Sequence, residues 1–116
     1  MIFGIGLDLT DIHRIKKAVE NRRTFPERVL TPNELDLYYN LSGTRQIEFL
    51  AGRYAAKEAY SKALGTGIGK VGFLDIEILP DPKGRPVATL SPFNGKAHIS
   101  ITHTDTVAAA QVILEA

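Results

Sequence analysis

The chain has 116 residues, of which 44% are hydrophobic and 23% charged, with a formal net charge of +1. That length supports one folded unit, residues 1–116, with room for a real core but not for two domains. Cysteine is absent, which excludes disulfides, thiolate nucleophiles and Cys-ligated zinc.

Residues 2–8 read as a short apolar strand ending at Asp8. The segment lacks the cationic start and cleavage site of a signal peptide, and no later stretch approaches the length of a membrane span. A cytoplasmic protein is the expectation, with no membrane partner. Thr10 or Asp11 caps a helix running to about Asn21, with Ile12, Ile15, Ala18 and Val19 as its apolar side. Between His13 and Arg28 six cations (Arg14, Lys16, Lys17, Arg22, Arg23, Arg28) face two acids (Glu20, Glu27). Such a segment either steers an anionic surface toward one region or is a solvated helix face. Thr31-Pro32-Asn33-Glu34 is a helix start with a Thr cap, Pro at the first position and Glu at the third. A long helix follows from about Arg45 to Leu64, terminated by Gly65. Beyond Gly72 strands take over: 73–79 alternate, Pro86–Leu90 is short, and 97–103 with 107–114 form a hairpin across Thr104-Asp105-Thr106. Early helices and late strands predict an α+β fold with a largely antiparallel sheet.

On the long helix, Arg53, Lys57, Glu58, Ser61 and Lys62 fall within one half of the cylinder. Phe49, Ala55, Ala56, Ala59, Tyr60 and Ala63 fall on the other, the expected core face. One carboxylate among three cations, beside a small-residue loop, suits a metal-assisted phosphate site; the alternative is a solvated face with a Glu58–Lys62 pair. Asp8 either caps the next helix or serves as a hard oxygen ligand; in the second role, if paired with Glu58, it would supply two carboxylates for Mg²⁺. The loop Gly65-Thr66-Gly67-Ile68-Gly69 follows a helix instead of preceding one, so neither dinucleotide nor Walker patterns fit. An anion there would need free loop amides, the Thr66 hydroxyl and Lys57 or Lys62 to outweigh the helix dipole, and taken alone the glycines read as a C-cap and turn. His98 and His103 point to opposite faces of a strand and cannot share a metal. Ser100, Thr102 and Thr104 line one side, which opposes a Ser–His nucleophile pair; the hydroxyls either bind phosphate or simply pair across strands on an exposed sheet face.

Taken together these segments resemble the holo-acyl-carrier-protein synthases, the small bacterial 4′-phosphopantetheinyl transferases. The resemblance covers nearly the whole chain. It runs through Gly6-Leu7-Asp8-Leu9, Arg14-Ile15, Phe25, Arg28-Val29-Leu30-Thr31 and Glu34, then LAGRYAAKEA (50–59), Lys62-Ala63, Gly65-Thr66-Gly67-Ile68, Gly84-Arg85-Pro86 and SITHT (100–104). The block GRYAAKEAYSKALGTG is the specific part. Thr102 stands where many relatives carry Ser, and residues 91–97 match least.

The resemblance implies Mg²⁺-dependent transfer of 4′-phosphopantetheine from coenzyme A to a serine of an apo acyl carrier protein. Adenosine 3′,5′-bisphosphate is the other product, and the reaction supports fatty acid biosynthesis. It implies a homotrimer with sites between subunits. Asp8 and Glu58 would hold Mg²⁺, Lys62 would bind or protonate a phosphate oxygen, and Glu58 is the candidate base. Lys57, Ser61, Gly65, Thr66, Pro86, Ser100, His103 and Thr104 would line the coenzyme A site, with Arg45 and Arg53 for the outer phosphate. Arg14, Arg22 and Arg28 would dock the acidic carrier. The competing reading is a non-catalytic module that binds an acidic partner or nucleic acid through residues 13–28. Nucleic acid is the weaker partner, because no aromatic stripe interleaves the charge.

Overall fold

Alternation in the first strand sends two kinds of residue to its two faces. In the computed structural model, which describes residues 1–116, β1 spans Ile2–Asp11. Gly4, Gly6, Asp8 and Thr10 turn inward, while Phe3, Ile5, Leu7 and Leu9 stand on the outer face, each more than half exposed. The inward glycines decide how close the strand lies to the long helix. A Cβ built on Gly6 would fall 2.8 Å from Ala63 N and far inside contact with the Ala59 carbonyl oxygen.

Helix α1 (Ile12–Asn21) starts at Asp11, whose carboxylate accepts from the His13 and Arg14 amides; of the two candidate caps, Asp11 takes the role. A helix the sequence reading did not anticipate, α2 (Phe25–Val29), carries Pro26 in its first turn. At α3 (Pro32–Tyr39) the expected capping box is present, with Thr31 and Glu34 bonded reciprocally. Helix α4 (Gly43–Leu64) is the spine, and Gly65 ends it at φ 88°. The expected strand 73–79 is corrected: Phe73–Asp75 is a single 3₁₀ turn, and β2 occupies Glu77–Pro80. The Asp75 carboxylate accepts the Gly72 amide at 2.8 Å, a local bond that wins over the alternating pattern. Strands β3 (Pro86–Leu90), β4 (Lys96–His103) and β5 (Val107–Glu115) complete the chain.

The sheets are antiparallel, as expected of an α+β fold: β1-β5-β4 in one, β2-β3 in the other. Register places Leu7 opposite Gln111 and Ser100 opposite the same Gln111, so Ser100 shares the outer face with the apolar stripe of β1. On the inner face Val112 and Leu114 pack against Ala55, Ala56, Ala59, Tyr60 and Ala63 of α4. A second cluster, with Ile12, Ile15, Leu30, Tyr38 and Leu50, seals α1–α3 against the start of α4.

Packing on both sides overturns the reading of α4 as half polar stripe, half core. Arg53, Lys57 and Ser61 are buried along with the alanines, whereas Glu58 is partly exposed and Lys62 exposed. The polar groups of these three residues are accommodated by hydrogen bonds within the fold.

Candidate functional site

One cavity of about 450 Å³ opens where β1, α1 and α4 meet, lined by Asp8, Arg14, Ile15, Phe25, Tyr54 and Glu58 among others. Asp8 arrives on an inward position of β1, and Glu58 on the part of α4 that faces it. Thr10, two residues along the same strand face, donates its hydroxyl to Asp8 Oδ2 at 2.9 Å. Lys62, one turn beyond Glu58, donates to Asp8 Oδ1 at 3.1 Å and to the Leu7 carbonyl at 3.0 Å. Burial holds the Glu58 carboxyl above the usual carboxylate range; the Asp8 charge adds to this and Lys62 opposes it. The Glu58 carboxylate makes no hydrogen bond to the protein. Two facing carboxylates, one of them unengaged, form a donor set that suits a hard divalent cation keeping several waters. The sequence reading offers Thr10 only as a candidate helix cap and gives Tyr54 no site role, although Tyr54 lies one helical turn before Glu58 and Thr10 one strand repeat after Asp8.

A second cavity, about 460 Å³, lies on another side of α4, with Arg45, Glu48, Phe49, Arg53, Ile101 and His103 in its wall. Arg53 Nε donates to the Ile78 carbonyl at 3.0 Å, and its guanidinium carbon stands 4.4 Å over the Phe49 ring. His103 Nδ1 is 3.7 Å from Glu48 Oε2, a carboxylate the sequence reading passed over. At about 100° per residue, Arg45, Phe49 and Arg53 point nearly opposite to Tyr54, Glu58 and Lys62. From Arg45 to Glu58 the helix also advances roughly 20 Å. Within one chain the two cavities cannot touch the same phosphates.

Several residues expected to contact ligand are already engaged within the chain. Lys57 is 0% exposed, and its ammonium is spent on Glu34 Oε1 and the Val29 carbonyl, both at 2.6 Å. Ser61 is equally buried and donates to the Glu58 carbonyl at 2.7 Å. The amides of Gly65, Thr66 and Gly67 all bond to the Ser61 carbonyl, so none is free for an anion. The Thr66 hydroxyl donates to the Gly67 carbonyl; the residue borders a separate cavity of about 420 Å³ with Lys70 and Ser91. Thr104 Oγ1 accepts the Thr106 and Val107 amides and so holds the hairpin turn. Ser100 stands on the outer sheet face, and Pro86 opens β3 opposite Pro80; neither lines these three cavities. Arg14, Arg22 and Arg28 are exposed, as docking requires, and Arg14 reaches the rim of the carboxylate cavity.

A family model described as the 4′-phosphopantetheinyl transferase superfamily matches residues 4–113. The chain is 60% identical over 115 residues to a holo-acyl-carrier-protein synthase of Enterococcus faecalis, covering 99% of this chain and 98% of that one. It is likewise 60% identical over 116 residues to one from Streptococcus agalactiae, with the same coverage. Among solved structures, a holo-(acyl-carrier-protein) synthase from Bacillus anthracis in complex with CoA (3′,5′-ADP) superposes with a TM-score of 0.94 at 50% identity, covering 100% of this chain and 98% of that chain. A Helicobacter pylori synthase in complex with coenzyme A gives 0.85 at 40% identity, covering 96% and 99% respectively.

Proposed function

This chain belongs to the 4′-phosphopantetheinyl transferase superfamily, and we propose that it transfers 4′-phosphopantetheine from coenzyme A to a serine of apo acyl carrier protein. Holo carrier protein and adenosine 3′,5′-bisphosphate are the products, and the reaction supports fatty acid biosynthesis. The observation that carries this reading is the Asp8–Glu58 carboxylate pair in one open cavity, with Lys62 on one side and Arg14 on the other.

Asp8 and Glu58 are the residues that would hold Mg²⁺, which when bound orients the pyrophosphate oxygens and offsets their charge. The serine oxygen forms a bond to the pantetheine-side phosphorus while the bond from that phosphorus to the bridging oxygen breaks. The serine proton passes to Glu58, whose raised carboxyl is the better acceptor for it. The ammonium of Lys62, half exposed and already hydrogen-bonded to Asp8, donates to the departing phosphate. Phe25 and Tyr54 form an apolar wall that limits water at the attacking hydroxyl.

The second cavity supplies Arg45, Arg53 and His103 for the 3′-phosphate of coenzyme A. Because it faces away from Glu58, a complete site takes the carboxylates from one subunit and the arginines from its neighbour, in a homotrimer. The outer face of β1 supports such assembly: Phe3, Ile5, Leu7 and Leu9 make a contiguous apolar stripe that a monomer would leave in water. Leu7→Glu should therefore give monomers by analytical ultracentrifugation and remove nearly all turnover. A trimeric, active Leu7→Glu protein would contradict this interface.

Arg14, Arg22 and Arg28 face solvent, Arg14 at the carboxylate cavity, and attract an acidic carrier. Charge reversal at Arg14 should cut kcat/KM for the carrier by about tenfold at low salt and less at high salt. Unchanged kinetics would remove Arg14 from the docking surface.

The reaction itself is tested by weighing an apo carrier after incubation with the protein, coenzyme A and Mg²⁺. A gain of one phosphopantetheine, abolished by EDTA, is expected. No gain with several carriers, together with no binding of coenzyme A, would return the basic segment to a non-catalytic binding role. No helix is long and apolar enough to cross a membrane.

A further inference from the structure

Glu34 has no exposed surface, yet both of its carboxylate oxygens are engaged. Oε1 accepts from Lys57 Nζ at 2.6 Å and from the Thr31 amide at 2.8 Å; Oε2 accepts from the Ile78 amide at 2.7 Å. The capping box needs only the Thr31 contact. A buried ion pair is also weak ground for stability, since apolar residues of similar size often do as well. The remaining contact, to Ile78, is the informative one.

In an extended strand the N–H and C=O of one residue point to the same edge. At Ile78 that edge is met by two side chains instead of another strand: Glu34 takes the amide, and Arg53 Nε donates to the carbonyl at 3.0 Å. The Phe49 ring covers one face of the guanidinium. With Nε and one face occupied, the Nη edge is left without a protein hydrogen bond, and it belongs to the wall of the Arg45–His103 cavity. No buried side-chain nitrogen lacks a partner, so this edge reaches solvent.

We propose that Glu34 is a positioning residue for Arg53: by holding the Ile78 amide it fixes the carbonyl that aims the guanidinium edge at the 3′-phosphate of coenzyme A. The proposal rests on Arg53 being a ligand of that phosphate. It assigns a role in substrate recognition to a side chain that touches neither substrate nor solvent.

Two double variants separate positioning from stability, because both remove the buried charges together. Glu34→Gln with Lys57→Met retains one acceptor oxygen, which takes the Ile78 amide when the side-chain amide is turned toward it, whereas Glu34→Leu with Lys57→Met retains none. The readout is the ratio of dissociation constants for 5′-AMP and adenosine 3′,5′-bisphosphate by calorimetry, which isolates the 3′-phosphate. The glutamine variant should keep the wild-type ratio. In the leucine variant it should shrink by about tenfold, the scale of one charge-assisted hydrogen bond, with KM for coenzyme A raised and kcat unchanged. Equal ratios in the two variants would overturn the proposal. Should the leucine variant not fold, Glu34→Asp takes its place, keeping the charge beside Lys57 but falling short of Ile78; a wild-type ratio there overturns the proposal equally. Arg53→Ala is the control for the underlying reading. If it leaves the ratio unchanged, Arg53 is not the phosphate ligand. Positioning is then decided by the Arg53 Nε–H proton in NMR: slow exchange in wild type and fast exchange in Glu34→Asp support it, and equal exchange rates overturn it.

Discussion

Asp8→Ala and Glu58→Ala should each lower kcat by about a thousandfold, the consequence of losing several kcal/mol of charge stabilisation at the pyrophosphate. Both variants should remain folded. The Glu58 carboxylate makes no hydrogen bond to the protein, and burial already disfavours its charge, so its removal leaves no partner stranded. Removing Asp8 frees the Thr10 hydroxyl and Lys62, but Lys62 keeps its bond to the Leu7 carbonyl and its access to water. The circular dichroism spectrum and melting temperature should therefore stay near wild type while turnover collapses. Titration with Mn²⁺, read by its paramagnetic resonance, should show tight binding lost in both. A variant with near-wild-type turnover at limiting Mg²⁺ would show that its carboxylate does not hold the metal.

Gly6→Ala should have the largest effect on folding. The added methyl would meet the Ala59 carbonyl oxygen and stand 2.7 Å from the Ala59 carbonyl carbon, all of it helix backbone that cannot rotate away. Relief requires β1 and α4 to separate, which opens the packing of Ala59 and Ala63 against the sheet. The cost should exceed about 3 kcal/mol, beyond the usual range for overpacking because the obstacle is main chain. A fall in melting temperature of more than about 10 °C follows for a chain of this size. Any folded fraction should also bind Mn²⁺ poorly, since the same approach that Gly6 permits brings Asp8, two residues on, toward Glu58. An unchanged melting temperature would mean that strand and helix are not in the contact described.

The parts of this fold that were legible from sequence are the ones written locally. Thr31 and Glu34 are three residues apart and make their capping box as expected. Gly65 ends α4 in the left-handed conformation, and the terminal hairpin turns where its Thr-Asp-Thr segment predicts. Legibility failed where a partner lies far away in the chain. Lys57 looks like a surface cation until Glu34 arrives from α3 to neutralise it, and Arg53 until Ile78 comes to accept its Nε–H. Spacing also could not show that Asp8 and Glu58 share a cavity; only the resemblance to known transferases linked them. The glycine loop is a different case. Taken alone its residues read as a helix cap and turn, and the end of α4 does consume their amides. At residues 73–79 the two-residue period predicts strand throughout, although the Asp75 carboxylate curls the first part into a turn.

The claim on which the rest depends is that one site draws its carboxylates and its arginines from different subunits. Asp8→Ala and Arg45→Ala proteins, each nearly inactive at low coenzyme A, would be unfolded together at equal concentration and refolded. Random reassembly leaves about a quarter of the interfaces with both residues intact. Recovery of about a quarter of wild-type kcat/KM is the expected result. No recovery from well-folded mixed trimers would place both residues in the same chain's site and contradict the two-subunit arrangement.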